Sequence, residues 1–237
     1  MTIVIYRAGP PVKFRISLRY APTVKRRSRI FLLSPAYCGG ERARLFMNSR
    51  AEFELARQVR SPEGAPIGDV FSFLSGLYFR GKLAYARAFA APPPGVPGGL
   101  VITPNEGLRS PDERMTIARL KRFARGDIDE SKRSYRQPLL RDARLIAEAA
   151  GETCEVVLLG SVASGKYADV LTKVFRDRLL FPISFVGRGD MSRGGLMLRC
   201  ARSGVELDYV PVAGAVRHGP RPPKLPPLPR RPPDPMP

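Results

Sequence analysis

Short apolar runs alternate along the chain with longer segments whose hydrophobic residues recur every three or four positions. The runs RIFLL, LVIT, EVVLL and LLFPISFV contain many branched residues, which is typical of strands covered on both faces. The segments 41–60 and 69–91 are amphipathic and are predicted as helices, the first with an interruption at Asn48-Ser49. This alternation predicts an α/β fold of three layers, in which a mainly parallel sheet is flanked by helices.

The stretch EVVLLGSVASGKYADVLTKVF, residues 155–175, predicts a buried strand, a glycine-containing turn and a helix in succession. An amphipathic helix precedes it, opened by Pro138 and ended by Gly151 at the position where a glycine commonly follows a helix. Such a unit presents backbone N–H groups and a helix N-terminus to a ligand above the sheet.

The two ends of the chain are predicted to differ from the α/β domain at 30–216. TIVIY and VKFRISLRY, separated by AGPP, predict a basic β-hairpin within residues 1–29. LMLRCAR and VELDYVPV predict a C-terminal β-hairpin; the competing prediction is a helix over 191–202, which two adjacent glycines disfavour. Residues 217–237 are predicted as a disordered, unpacked tail, because ten of the last eighteen residues are proline.

Positive charge is concentrated at the ends of the chain. The net charge is +19, and residues 1–29 carry eight Lys/Arg and no acidic residue. Basic segments of this kind suit polyanions such as nucleic acid, although a solvated basic face is the simpler alternative. The predicted nucleic-acid-binding residues are Lys13, Arg15, Arg19, Lys25, Arg26 and Arg27.

Several classes of protein are disfavoured by what the sequence lacks. The three cysteines are far apart and form no CxxC pair, and His218 is the only histidine, so neither a disulfide framework nor a Cys/His zinc site is predicted. A Ser-His-Asp triad would have to use that histidine in a proline-rich segment. No apolar run approaches the ~20 residues of a membrane span. A cytoplasmic protein without a cofactor or a membrane partner is therefore expected.

Ligands of open α/β sheets bind at the carboxyl ends of the strands, so the loops there predict the site. Glu106 and Asp190 follow two predicted strands and are expected to share one cleft as general acid and base. The predicted substrate- or phosphate-binding residues are Ser34, Asn105, Ser161, Lys166, Arg188 and Arg193.

Residues 160–166, GSVASGK, match the GxxxxGK spacing of a phosphate-binding loop between a strand and a helix. Tyr167, however, occupies the position where a serine or threonine hydroxyl would hold Mg²⁺. The loop is therefore predicted as an anion cradle without magnesium, and a nucleotide-dependent enzyme is the alternative.

Aromatic and basic residues alternate in the predicted helix 69–91. Tyr78, Phe79 and Tyr85 could stack nucleobases, but core packing, with Lys82 and its basic neighbours reaching solvent, is the simpler interpretation.

The segments FLLSP, LSGLYFRGKLAYARAFA, GLVITPNEGLRSPDE and VVLLGSVASGKYADVL follow one another in an order that resembles a known group of proteins. That group comprises the peroxide-stress DNA-binding proteins and the uncharacterised domains related to deazaguanine-modification enzymes. The similarity covers about residues 29–186 and implies an α/β sheet like that of uracil-DNA glycosylases. The water-activating motif of the glycosylases is not visible, so base excision itself is not implied.

Together, these observations predict an α/β protein that binds nucleic acid or a nucleotide-like anion in a strand-end cleft, with action on a nucleobase as an accompanying hypothesis. One alternative is the nucleotide-dependent enzyme that uses residues 160–166. Another is an interaction protein whose proline-rich tail docks into the aromatic-lined groove of a protein partner.

Overall fold

The computed structural model describes residues 27–226. Its strands are β1 (Arg29–Leu33), β2 (Ala65–Pro66), β3 (Gly99–Ile102), β4 (Leu108–Arg109), β5 (Arg114–Met115), β6 (Glu155–Leu159), β7 (Leu179–Pro182) and β8 (Tyr209–Pro211). Its α-helices are α1 (Glu41–Met47), α2 (Glu54–Arg60), α3 (Ile67–Ser75), α4 (Leu77–Phe89), α5 (Ile117–Ala124), α6 (Arg133–Ala150), α7 (Gly165–Phe175) and α8 (Asp190–Ser203).

Six strands form one sheet in the order β4-β3-β1-β6-β7-β8. The four central strands are parallel, and the two edge strands pair antiparallel to them. β1 is central: its Leu33 pairs with Val101 of β3 on one side and with Leu159 of β6 on the other. β2 and β5 form a separate antiparallel pair. The predicted mainly parallel α/β architecture is confirmed.

Both faces of the sheet are buried, because successive side chains of a strand point to opposite faces. Phe31 and Leu33 pack in a core with residues of α1 to α5 and α8. Ile30 and Leu32 pack in a second core with α6 and α7. Burial on both faces is the reason why the apolar runs that predict these strands are continuous rather than alternating.

The predicted C-terminal hairpin is wrong, because residues 190–203 form helix α8. One of its glycines, Gly194, allows a close crossing with α4: a Cβ atom on Gly81 of α4 would lie 2.6 Å from the carbonyl oxygen of Gly194. A Cβ atom on Gly194 would lie 2.6 Å from the carbonyl oxygen of Leu77. Only β8 remains of the hairpin, and it pairs with β7 instead.

Helix α6 begins at Arg133 rather than at Pro138, which lies inside it. Tyr135 explains the additional turn, since its ring is fully buried and its hydroxyl donates a 2.8 Å hydrogen bond to the carbonyl oxygen of Lys166. β7 is also shorter than predicted and ends at Pro182, where a 3₁₀ turn, Ile183–Phe185, follows.

The predicted N-terminal hairpin and the end of the proline-rich tail lie outside the described residues. The first part of the tail, residues 217–226, packs against the molecule instead of extending freely. The Arg188 guanidinium donates to the carbonyl oxygen of Pro223 (3.4 Å), and Arg199 donates to that of Pro226. Arg217 forms an ion pair with Asp169 at 3.0 Å.

Candidate functional site

A cleft of about 670 Å³ opens at the carboxyl ends of β1 and β6. Its walls come from the loop after β1, the loop between β6 and α7, the start of α8, and the segment that follows α5. Four predicted site residues line it: Ser34, Ser161, Lys166 and Asp190. They meet there because parallel strands deliver their carboxyl-terminal loops to one edge of a sheet.

Two small residues allow β1 and β6 to end side by side beneath the cleft. Leu33 pairs with Leu159, and the residues that follow are Ser34 and Gly160. A Cβ atom on Gly160 would lie only 2.9 Å from the Cβ atom of Ser34. The absence of a side chain at Gly160 therefore leaves room for the Ser34 side chain at the floor of the cleft.

Lys82 of α4 is fully buried below Ser34. Its Nζ donates to the carbonyl oxygen of Ser34 (2.6 Å) and to Ser34 Oγ (2.8 Å), and it lies 4.2 Å from the ring centroid of Tyr78. Among the described residues no carboxylate forms an ion pair with it. Burial lowers the pKa of Lys82 to about 7; the charge of Asp190 acts to raise it, and that of Arg193 to lower it further.

The predicted position of Lys82, on a cationic helix face that reaches solvent, is wrong. Tyr78, Phe79 and Tyr85 pack in the core, as the simpler interpretation of this helix predicted. Lys82 follows Tyr78 by four positions and precedes Tyr85 by three, so it shares their buried face. This spacing is the signal in the sequence that could have identified it.

The Tyr78 hydroxyl group is buried close to Arg193 and Ser34, but no group among the described residues meets it at the distance and angle of a hydrogen bond. Tyr78 also lines the cleft. Burial raises the pKa of Tyr78 to about 12, although nearby Arg193 and Ser34 act against the rise. The hydroxyl therefore stays protonated at neutral pH and keeps its hydrogen-bond donor.

Tyr37 and Cys38 lie side by side in the loop after β1 and differ in exposure. Tyr37 stands at the cleft with 79% of its surface exposed, which is unusual for so large an aromatic residue. Cys38 is buried, its Sγ lies 3.5 Å from the carbonyl oxygen of Ala36, and burial raises its thiol pKa to about 12. The thiol is therefore a structural group and not a nucleophile at neutral pH.

The GSVASGK loop lies between strand β6 and helix α7, the order of elements in which its motif occurs. Lys166 lines the cleft with its Nζ 5.9 Å from the ring centroid of Tyr167, and within residues 27–226 it forms no ion pair. Tyr167 is buried, and burial raises its pKa. A phosphate can therefore approach Lys166 and the start of α7, but the buried tyrosine offers no compact hydroxyl ligand for Mg²⁺.

The predicted residues near the start of α8 have separate roles. Asp190 is the first residue of the helix and lies 3.5 Å from the guanidinium of Arg193. Arg193 is buried and donates twice to the carbonyl oxygen of Phe185, at 3.0 and 3.2 Å. Arg188 donates to the carbonyl oxygen of Ser184 at 3.0 Å and does not line the cleft. Both arginines thus bind backbone carbonyl groups of the 3₁₀ turn that precedes α8, the helix that begins at Asp190.

Glu106 and Asp190 do not meet in one cleft. Glu106 accepts hydrogen bonds from Arg119 (2.6 and 2.9 Å) and Arg122 (2.8 and 3.2 Å). Burial acts to raise the pKa of Glu106, but these two guanidinium groups outweigh it and hold the pKa below its ordinary value. Asn105 lies in a neighbouring groove, and its amide donates to the carbonyl oxygen of Arg122 at 3.5 Å.

A basic surface borders the cleft, formed by α5, α6 and the segment between them. We call it the α5–α6 basic surface; its residues are Lys121, Arg122, Arg125, Lys132, Arg133, Arg136, Arg141 and Arg144. In the described part of the chain, Lys121, Arg125, Arg133 and Arg144 are exposed and form no ion pair. Gly126 and Asp127 line both the cleft and the groove on this surface, so the two adjoin.

Of the predicted N-terminal basic residues, only Arg27 lies within the described residues. It is exposed and forms an ion pair with Glu155 at 3.3 Å. Glu155 is the first residue of β6, so Arg27 lies at the amino ends of the parallel strands, opposite the cleft.

No protein-family model, curated protein or solved structure matches this chain. In residues 27–226 no group of His, Cys, Asp and Glu side chains is arranged to hold a metal ion. No helix in the same range is long and apolar enough to cross a membrane.

Proposed function

We propose that this protein binds nucleic acid, with one nucleotide in the strand-end cleft and the adjoining phosphate backbone on the α5–α6 basic surface. The observation that carries the proposal is that the cleft and this surface adjoin at Gly126 and Asp127, which line both. Exposed cations without carboxylate partners suit a polyanion, because neutralised phosphates release their counterions.

The cleft contains the groups that a nucleotide requires. Its volume lies within the range of ~300–1,000 Å³ that is usual for small-molecule sites. Tyr37 offers an exposed ring on which a base can stack. Lys166, at the start of α7, offers a positive charge to a phosphate. Binding should not require Mg²⁺, because Tyr167 replaces the hydroxyl ligand of nucleotide-hydrolysing loops.

Action on a nucleobase is part of the same proposal, and it assigns the acid–base role to Asp190 alone. Asp190 lines the cleft. Glu106 does not line it and forms ion pairs with Arg119 and Arg122.

The test measures oligonucleotide affinity as a function of salt concentration for two double variants. Arg133→Gln with Arg144→Gln removes two cations of the α5–α6 basic surface. Arg80→Gln with Arg202→Gln removes two exposed cations from α4 and α8, on the other face of the sheet. The first variant should bind more weakly, with a salt slope lower by roughly 0.7 to 0.9 for each lost phosphate contact.

The control variant should retain the slope of the unaltered protein. Equal losses in both variants would mean that net charge alone, and not this surface, attracts the polyanion.

A further inference from the structure

A serine hydroxyl at the floor of the cleft lies against a buried amine. Ser34 lines the cleft, and Nζ of Lys82 lies 2.8 Å from its Oγ. We propose that Ser34 is a nucleophile with Lys82 as its general base, and that this pair hydrolyses a carboxylic ester bound in the cleft. The inference goes beyond nucleic-acid binding and does not rest on it.

The surroundings of Lys82 favour the neutral amine that a general base requires. Its Nζ is buried against Tyr78 and Phe79, at 4.2 and 5.0 Å from their ring centroids. The charges that face it come from α8, where Asp190 favours protonation and Arg193 opposes it. Burial exceeds both, so the pKa of about 7 places the base close to neutral pH.

A second group suits the developing negative charge of ester hydrolysis. The hydroxyl of Tyr78 is buried, lacks a hydrogen-bond partner in the described structure, and belongs to the lining of the same cleft. A donor left unpaired inside a protein costs free energy. Such a donor is commonly retained where a ligand or reacting group completes the hydrogen bond. Tyr78 would donate to the oxyanion of the tetrahedral intermediate.

The reaction uses only the ester and one water molecule. Lys82 Nζ takes the Oγ proton as Ser34 Oγ bonds to the carbonyl carbon, and the carbonyl oxygen becomes an oxyanion. The oxyanion collapses, the bond from carbon to the alcohol oxygen breaks, and Lys82 returns its proton to that oxygen. Water then attacks the acyl-serine carbon with its proton passing to Lys82. The bond from that carbon to Ser34 Oγ breaks, Lys82 returns the proton to Oγ, and the carboxylic acid leaves.

A fluorophosphonate probe tests the nucleophile without knowledge of the natural ester. Its phosphorus bonds to an activated serine oxygen, fluoride leaves, and the serine proton passes to the base. We expect peptide mapping to place the label on Ser34. Ser34→Ala should lose it, whereas Ser75→Ala, which alters another cleft serine, should keep it. p-Nitrophenyl acetate should likewise leave an acetyl group on Ser34.

The pH profile distinguishes a general base from a structural lysine. The labelling rate of the unaltered protein should rise as pH increases through about 7, where Lys82 loses its proton. Lys82→Met should slow labelling by ~100-fold or more, with folding checked by thermal unfolding. If that variant does not fold, the profile of the unaltered protein decides. Labelling that is absent from Ser34, or independent of pH across this range, would overturn the proposal.

Discussion

At the scale of single residues, Lys82 makes stability depend on pH. Its pKa falls from an ordinary 10.5 to about 7 in the folded protein, so between these values the unfolded chain binds a proton that the folded chain does not. The stabilising contribution is full above about 10.5 and is lost as pH falls through about 7.

Between pH values of about 7 and 10.5, the unfolding free energy of the unaltered protein should increase with pH relative to that of Lys82→Met. The increase should be up to ~1.4 kcal/mol per pH unit. Urea unfolding at a series of pH values measures the difference. Two parallel stability curves would show that Lys82 is not the group that titrates.

The cleft residues and Glu106 show what sequence can predict about single side chains and what it cannot. The positions of Ser34, Ser161, Lys166 and Asp190 follow from strand ends alone, and all four line the cleft. The partners of Glu106 could not be predicted in this way, because Arg119 and Arg122 come from the next helix along the chain. Which of several nearby cations turns toward a carboxylate depends on tertiary packing.

At the scale of elements, the crossing of α4 and α8 determines where the residues of the cleft floor lie. Gly194→Ala should destabilise the protein by ~1–3 kcal/mol, because the added methyl would meet the backbone of α4. Gly195→Ala is the matched control: its Cβ would meet only the Leu225 side chain, at 3.8 Å. Alanine there should be neutral or stabilise by ~0.5–1 kcal/mol. Thermal unfolding compares the two, and equal effects would rule out a close crossing at Gly194.

The same crossing explains why the helix over residues 190–203 does not follow from the local sequence. Adjacent glycines lower intrinsic helix propensity, so the local sequence favours a hairpin there. In the folded protein, contact with α4 outweighs that propensity, and one of the two glycines is what allows the contact. By contrast, the strands at 29–33 and 155–159 were predictable, because burial on both faces demands continuous apolar runs.

At the scale of the whole molecule, two concentrations of positive charge differ in where they lie relative to the cleft. The segment before β1 carries basic residues, but Arg27 places its end at the amino ends of the strands. The α5–α6 basic surface instead adjoins the cleft at their carboxyl ends. Composition alone identified the first, whereas the second required the fold, since its residues come from two helices and the segment between them.

The most direct test of nucleic-acid binding in the cleft is photo-crosslinking to an oligonucleotide that contains 5-iodouridine. This base reacts with aromatic rings on which it stacks, and Tyr37 is the exposed ring at the cleft. We expect mass spectrometry to place the crosslink on Tyr37, and Tyr37→Ala to remove it. Crosslinks confined to Tyr209 or to residues 1–26, with none on residues that line the cleft, would contradict this account.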